Sequence, residues 1–182
     1  MPDESPEREV VEIVRAVEAG TDGIAVPEEL LVEPDQKAPA KPVPRSLYAQ
    51  ILVMTVAEKI KLALRGNKDA RAILIRDPNK LIRRLVFLNP RISDGEVLAV
   101  ARNRSADDDL IRVITERREW MKNYQIRLAL ATNPKTPLVI ALKQIRTLDE
   151  RDIRQIAKSR NVPQTVAAQA RRILYSMPSH SK

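Results

Sequence analysis

A chain of 182 residues with 43% hydrophobic side chains is long enough to bury a core, but 3% aromatics and four glycines argue against an all-β barrel or an enzyme built on sharp loops. The absence of cysteine excludes disulfides, zinc–thiolate sites and iron–sulfur clusters. The net charge of +8 is unevenly spread: residues 1–45 hold 11 Asp and Glu against 5 Lys and Arg, a net −6, and residues 46–182 hold 13 against 27, a net +14. The acidic segment is either a shield over a basic binding surface or a solvated tail.

The start, "MPDESPEREV", is acidic where a secretory signal would be basic and then apolar. No run approaches the roughly 18 apolar residues of a membrane span, so a soluble cytoplasmic protein with no membrane span is expected. Ser5 as N-cap, Pro6 at the first helical position and Gly20 as the stop predict a short helix at about 6–19. Val10, Ile13, Val14 and Val17 fall on one stripe of it. Such a helix needs a surface to bury against, supplied by its own domain or by a partner's groove. A second small apolar cluster follows at Ile24–Val32. Seven of the thirteen prolines lie within residues 1–45, and "VEPDQKAPAKPVPR" (Val32–Arg45) reads as an extended linker. The expected division is therefore an acidic, Pro-rich arm over 1–45 and a basic helical-repeat domain over 46–182.

From Ser46 the pattern is of short helices, at about 46–54, 56–65, 68–76, 80–88, 94–102, 106–118, 123–132, 137–146, 148–159 and 163–175. Thr55/Glu58, Ser93/Glu96, Ser105/Asp108 and Thr147/Glu150 each place a hydroxyl three residues ahead of a carboxylate, the spacing of a capping box. No stretch alternates with a period of two for long enough to predict a strand.

An internal repeat organises these helices. A shift of 44 residues superposes Asn79 on Asn123, Ile82 on Ile126, Arg83 on Arg127, Asn89-Pro90 on Asn133-Pro134 and Arg102 on Arg146, with a degenerate third stop at Asn161-Val162-Pro163. A period of this size made of helices is the mark of a stacked solenoid. The Asn-Pro pairs read as punctuation, Asn taking the left-handed conformation that ends a helix and Pro preventing its continuation. Arg83/Arg127 and Asn79/Asn123 form either a ligand-facing ladder or ties from side chains to helix-end carbonyls.

"RRLVFLNPRISDGEVLAVARN", "RLALATNPKTPLVIALKQI" and "SRNVPQTVAAQARRIL" resemble the leucine-rich repeat variant and the broader HEAT-like bacterial helical repeats over about residues 68–174. The resemblance implies a protein-binding scaffold, although the iron–sulfur cluster of the best-known variant proteins is ruled out by the missing cysteines. The expected fold is all-α: a right-handed α-solenoid of short stacked helices, with a largely disordered N-terminal arm carrying one short amphipathic helix.

Groups for catalysis are scarce. The sole histidine, His180, sits at the C-terminal end; the run Asp107–Asp109 lies in a first helical turn and complements the helix dipole; Gly66 and Gly95 stand alone rather than in a phosphate loop. No cofactor or metal is expected. The most unusual stretch is "ERREWMKNYQIR", where Arg117, Arg118, Lys122 and Arg127 surround Trp120 and Tyr124. It reads either as a surface that grips phosphates, bases or acidic peptides, or as Trp120 plugging the core between repeats, the reading favoured for that residue, with the cations coating the outside. Together with Arg83 and Arg84 these residues are the candidate partner-binding set. The function expected is a non-enzymatic adaptor binding an acidic protein segment, with sequence-nonspecific DNA or RNA binding as the alternative and the acidic arm as its competitor.

Overall fold

The computed structural model describes residues 6–33 and 45–176, and among them there are eleven α-helices, two 3₁₀ turns and no strand. The all-α expectation is met. Residues 1–5, 34–44 and 177–182 lie outside the described residues, including most of the predicted linker and His180. The chain falls into two compact units, divided between Ile92 and Ser93.

The first unit holds α1 (Pro6–Ala19), a 3₁₀ turn (Glu28–Leu30), α2 (Arg45–Val53), α3 (Val56–Arg65), α4 (Lys68–Leu74) and α5 (Lys80–Val86). Helix α1 ends where Gly20 takes φ +71°, with the N–H of Thr21 donating to Ala16 O at 2.9 Å. Its apolar stripe faces its own unit: Val17 is 0% exposed, and Val10, Ile13 and Val14 pack against the same core as Ile60, Leu62 and Leu74. Leu30, from the second apolar cluster, is 1% exposed in that core. The segment 6–33 is thus folded and built into the first unit, whereas the sequence pattern pointed to an arm largely without structure.

The second unit holds α6 (Asp94–Arg102), α7 (Asp108–Glu116), a 3₁₀ turn (Trp120–Lys122), α8 (Tyr124–Thr132), α9 (Leu138–Ile145), α10 (Glu150–Lys158) and α11 (Gln164–Ser176). Ile145, Ile153, Ile156, Val166 and Ala170 form the core between its last helices. Helix α10 packs on α11, α8 on α9, and α6 on α8.

Two of the four expected capping boxes form. Thr55 with Glu58 and Ser93 with Glu96 exchange both bonds, the Glu oxygens accepting from the cap N–H groups at 2.7 and 3.0 Å. The other two do not, because a nearer acid takes the cap position. Asp107 caps α7 by accepting from Asp109 N at 3.1 Å, and Asp149 precedes α10. The Thr147 hydroxyl instead donates backwards to Gln144 O at 2.8 Å.

The Asn-Pro corners depart from the expected geometry in an instructive way. No non-glycine residue among those described has positive φ, so neither Asn89 nor Asn133 is a left-handed stop. Each is buried, at 2% and 3% exposure, and its amide is spent on carbonyls at the end of an earlier helix. Asn89 Nδ2 donates to Ala63 O and Gly66 O at 3.0 and 3.1 Å, and Asn133 Nδ2 donates to Ala101 O and Asn103 O at 2.7 and 3.0 Å. Each Oδ1 accepts from the N–H two residues on, Arg91 N or Lys135 N. The end of α3 leaves no room for a side chain at position 66: a Cβ there would lie 2.2 Å from Leu62 O.

The neighbouring repeat positions behave alike. Asn79 and Asn123 cap α5 and α8. Arg83 Nη1 donates to Asp77 O at 2.6 Å, and Arg127 Nη1 donates to Met121 O at 3.2 Å, each reaching back six residues. The 44-residue self-match in the sequence therefore corresponds to a recurring set of side-chain to main-chain bonds, and the arginine pair ties down corners.

Candidate binding groove

Within the second unit, α8 and α10 each contribute a stripe at helical spacing: Gln125, Leu128, Ala129 and Thr132 from one, and Asp152, Gln155 and Ile156 from the other, continued by Ser159 at its C-cap. Between them lies a groove of about 340 Å³, lined also by Asn161 and Val162 and by the exposed Arg102 and Arg104 from the end of α6 and the loop after it. Its floor is apolar, made by Leu128, Ala129, Ile156 and Val162, and its walls carry amides, hydroxyls and the two guanidinium groups. Asn133 also lines it, and by holding Ala101 O and Asn103 O it fixes the chain from which both arginines project.

Arg102 Nη2 donates to Gln125 Oε1 at 3.1 Å, and Arg104 Nη2 donates to Asn161 O at 2.7 Å. Both arginines are exposed, and a guanidinium carries five N–H donors, so each is positioned by one bond while facing the groove. The groove's carboxylate, Asp152, accepts a hydrogen bond from the Tyr124 hydroxyl, which in turn accepts from Asp149 N at 3.1 Å. Burial, reinforced by the Asp152 bond, pushes the Tyr124 hydroxyl above its ordinary pKa, so it stays a donor. The electrostatic balance of the rim is cationic.

The residues singled out from sequence are placed as follows. Trp120 is 6% exposed, at the core of the second unit, with the Arg117 guanidinium 5.1 Å from its ring centroid. Tyr124 is half-buried, with Arg127 5.6 Å from its ring. Arg118 and Lys122 are both exposed on the same unit, while Arg83 and Arg84 belong to α5 of the first, Arg84 exposed and Arg83 bonded to its corner. Asp107–Asp109 act at a helix start, and Asp108 also pairs with Lys135 at 3.6 Å. Among the described residues no group of three or more acidic or histidine side chains is placed to hold a metal ion, and no helix is long and apolar enough to cross a membrane.

Arg104, Gln125, Gln155 and Asn161 were not singled out by sequence reasoning as binding residues, and Arg102 entered only as a repeat match. Their signal was present as the stripes of mixed amide and apolar residues at helical spacing on α8 and α10. Comparison of the chain with protein-family models, with curated proteins and with solved structures finds no match.

Proposed function

We propose that the protein is a non-enzymatic helical-repeat adaptor of the cytoplasm that binds an acidic segment of a partner protein in the groove between α8 and α10. The observation that carries this reading is the pairing of an apolar floor with a rim holding Arg102 and Arg104. A floor of Leu128, Ile156 and Val162 suits an apolar anchor, and the arginines suit carboxylates beside it. The recurrent corner bonds at Asn89/Asn133 and Arg83/Arg127 support a right-handed α-solenoid like those of the leucine-rich repeat variant and HEAT-like proteins, whose usual work is scaffolding.

Nucleic-acid binding is the less favoured reading, because base stacking calls for presented aromatic faces and the two aromatics of the basic stretch at 116–127 do not offer them, although Tyr48 and Tyr175 are exposed elsewhere. Trp120, the sole tryptophan, is buried, and Tyr124 is held by Asp152. The test is fluorescence anisotropy of the full chain with a labelled glutamate–leucine peptide and with a single-stranded oligonucleotide, each from about 50 to about 300 mM salt. The adaptor reading requires saturable peptide binding that persists at the higher salt. Saturable oligonucleotide binding with no peptide binding would replace it.

A further inference from the structure

The first unit contains a seated acidic segment of its own, and the way it is held identifies what the groove of the second unit is built to take. Past Gly20 the chain carries Asp22, Glu28, Glu29 and Glu33 over a short stretch. It is held largely by its carbonyl oxygens, through residues at and just after the end of α3. Arg65, the last residue of α3, donates to Val17 O and Glu18 O in the last turn of α1 at 2.9 and 2.8 Å and so fixes the entry to the segment, while Asn67 Nδ2 donates to Glu29 O and Val32 O within it at 2.8 and 2.9 Å. Arg91, two residues after the buried Asn89, donates to Leu31 O at 2.9 Å. Two features give the seat its selectivity. Leu30 is sunk in the core, and three residues later Glu33 meets Arg71, itself 3% exposed, at 2.6 Å.

The second unit repeats this corner. Asn133 holds the end of α6 as Asn89 holds the end of α3; Arg102 is the last residue of α6 as Arg65 is of α3; Arg104 follows two residues later as Asn67 does. In the first unit Asn67 grips the main chain of the acidic segment, and Arg65 grips the end of the helix that leads into it. In the second they rim a groove with an apolar floor, and Arg104 already holds one main-chain carbonyl, that of Asn161. We infer that the groove is a second seat for an acidic segment, and that its ligand is an acidic segment of a partner protein. The ligand's carbonyls are taken by Arg102, Arg104 and the groove amides, an apolar residue enters the Leu128/Ile156/Val162 floor, and a carboxylate about three residues later pairs with an arginine. This inference rests on the adaptor reading and adds the ligand's pattern to it.

The chain itself supplies the probe. A synthetic peptide of residues 21–33, "TDGIAVPEELLVE", carries the pattern, and an oligoglutamate of equal length lacks the apolar anchor. Each is titrated into ¹⁵N-labelled full-length protein. The arm peptide is expected to saturate, with shifts concentrated at Arg102, Arg104, Gln125 and Gln155. Affinity should fall at least tenfold both for the peptide bearing Leu30→Asp and for protein bearing Arg102→Glu with Arg104→Glu. Shifts confined to Lys61, Arg65 and Arg71 would show exchange with the resident segment and overturn the inference. Equal groove binding by oligoglutamate would overturn the anchor pattern while leaving the adaptor reading standing. No saturable binding by either peptide, nor by the glutamate–leucine peptide, would remove both.

Discussion

Asn133 donates its side-chain amide to the carbonyl oxygen of Ala101 at 2.7 Å, across 32 residues of sequence and within a buried site. The second N–H of that amide goes to Asn103 O, which also accepts from Ala106 N, so one side chain joins two carbonyls at the end of α6. Asn133→Ala strands Ala101 O and leaves Asn103 O with the Ala106 N–H alone, and the expected cost is about 1–3 kcal/mol, the range for one buried unpaired acceptor. Pro134 is exposed, and Pro134→Ala should cost under about 1 kcal/mol. Urea denaturation of the two variants checks the difference, and equal losses would return the corner to simple helix punctuation.

Asp22 joins the N-terminal segment to α3 through an ion pair with Lys61 at 2.6 Å. The hydrogen bond from Lys61 holds the Asp22 carboxyl below its usual value of 3.8, an effect that outweighs burial. A depressed carboxylate contributes stability above its unfolded-state value and loses it as pH falls through the lower folded-state value. Asp22→Asn should therefore destabilise the first unit by about 1–3 kcal/mol at pH 7, with the gap to the parent closing below about pH 4. Thermal melts from about pH 3 to pH 7 read this directly, and a constant gap across that range would contradict it.

Much of this architecture was legible in advance. The short helices announced themselves through apolar stripes and caps, and the 44-residue self-match located Asn89, Asn133, Arg83 and Arg127. What those side chains bond was not legible, because their acceptors are carbonyls 23 to 32 residues away for the asparagines, and main-chain oxygens leave no residue-type signature. The seating of residues 6–33 was hidden for the same reason: its contacts with Arg65, Asn67 and Arg91 are to its own backbone. Capping spacing at Ser105 and Thr147 misled because Asp107 and Asp149 stood closer to the helix starts. The groove needed the structure, since Arg102, Gln125 and Gln155 come together only when α6, α8 and α10 are in place.

The Tyr124 hydroxyl bonds Asp152 and Asp149 N on the flank of the groove. Its raised pKa means that the folded state holds the phenol proton more tightly than the unfolded chain does. The stability it contributes is present below pH 10 and lost as pH rises through the higher folded-state value. Tyr124→Phe should cost about 1–2 kcal/mol at pH 7 and remove a late step from the alkaline titration followed by phenolate absorbance. If that titration is the same with and without Tyr124 apart from amplitude, the Asp152 bond does not hold the proton.

Trp120 is buried as a core plug, with no face left for a contact surface. Trp120→Ala should cost about 3–5 kcal/mol. In the intact protein its fluorescence should be blue-shifted and poorly quenched by acrylamide, and unchanged when an acidic peptide binds. Strong acrylamide quenching together with a peptide-induced emission shift would place Trp120 in the binding surface.

Recognition at the groove and diffuse attraction to a basic surface differ in where charge matters. Arg102→Glu with Arg104→Glu changes net charge by the same amount as Arg112→Glu with Arg118→Glu, a pair that is also exposed on the second unit but does not line the groove. Anisotropy titrations with the glutamate–leucine peptide at about 150 mM salt should show the groove pair losing about tenfold or more in affinity, about 1.4 kcal/mol or above, and the control pair losing under about twofold. Equal losses from the two pairs would mean diffuse attraction to a basic surface, and would contradict a groove that recognises an acidic segment.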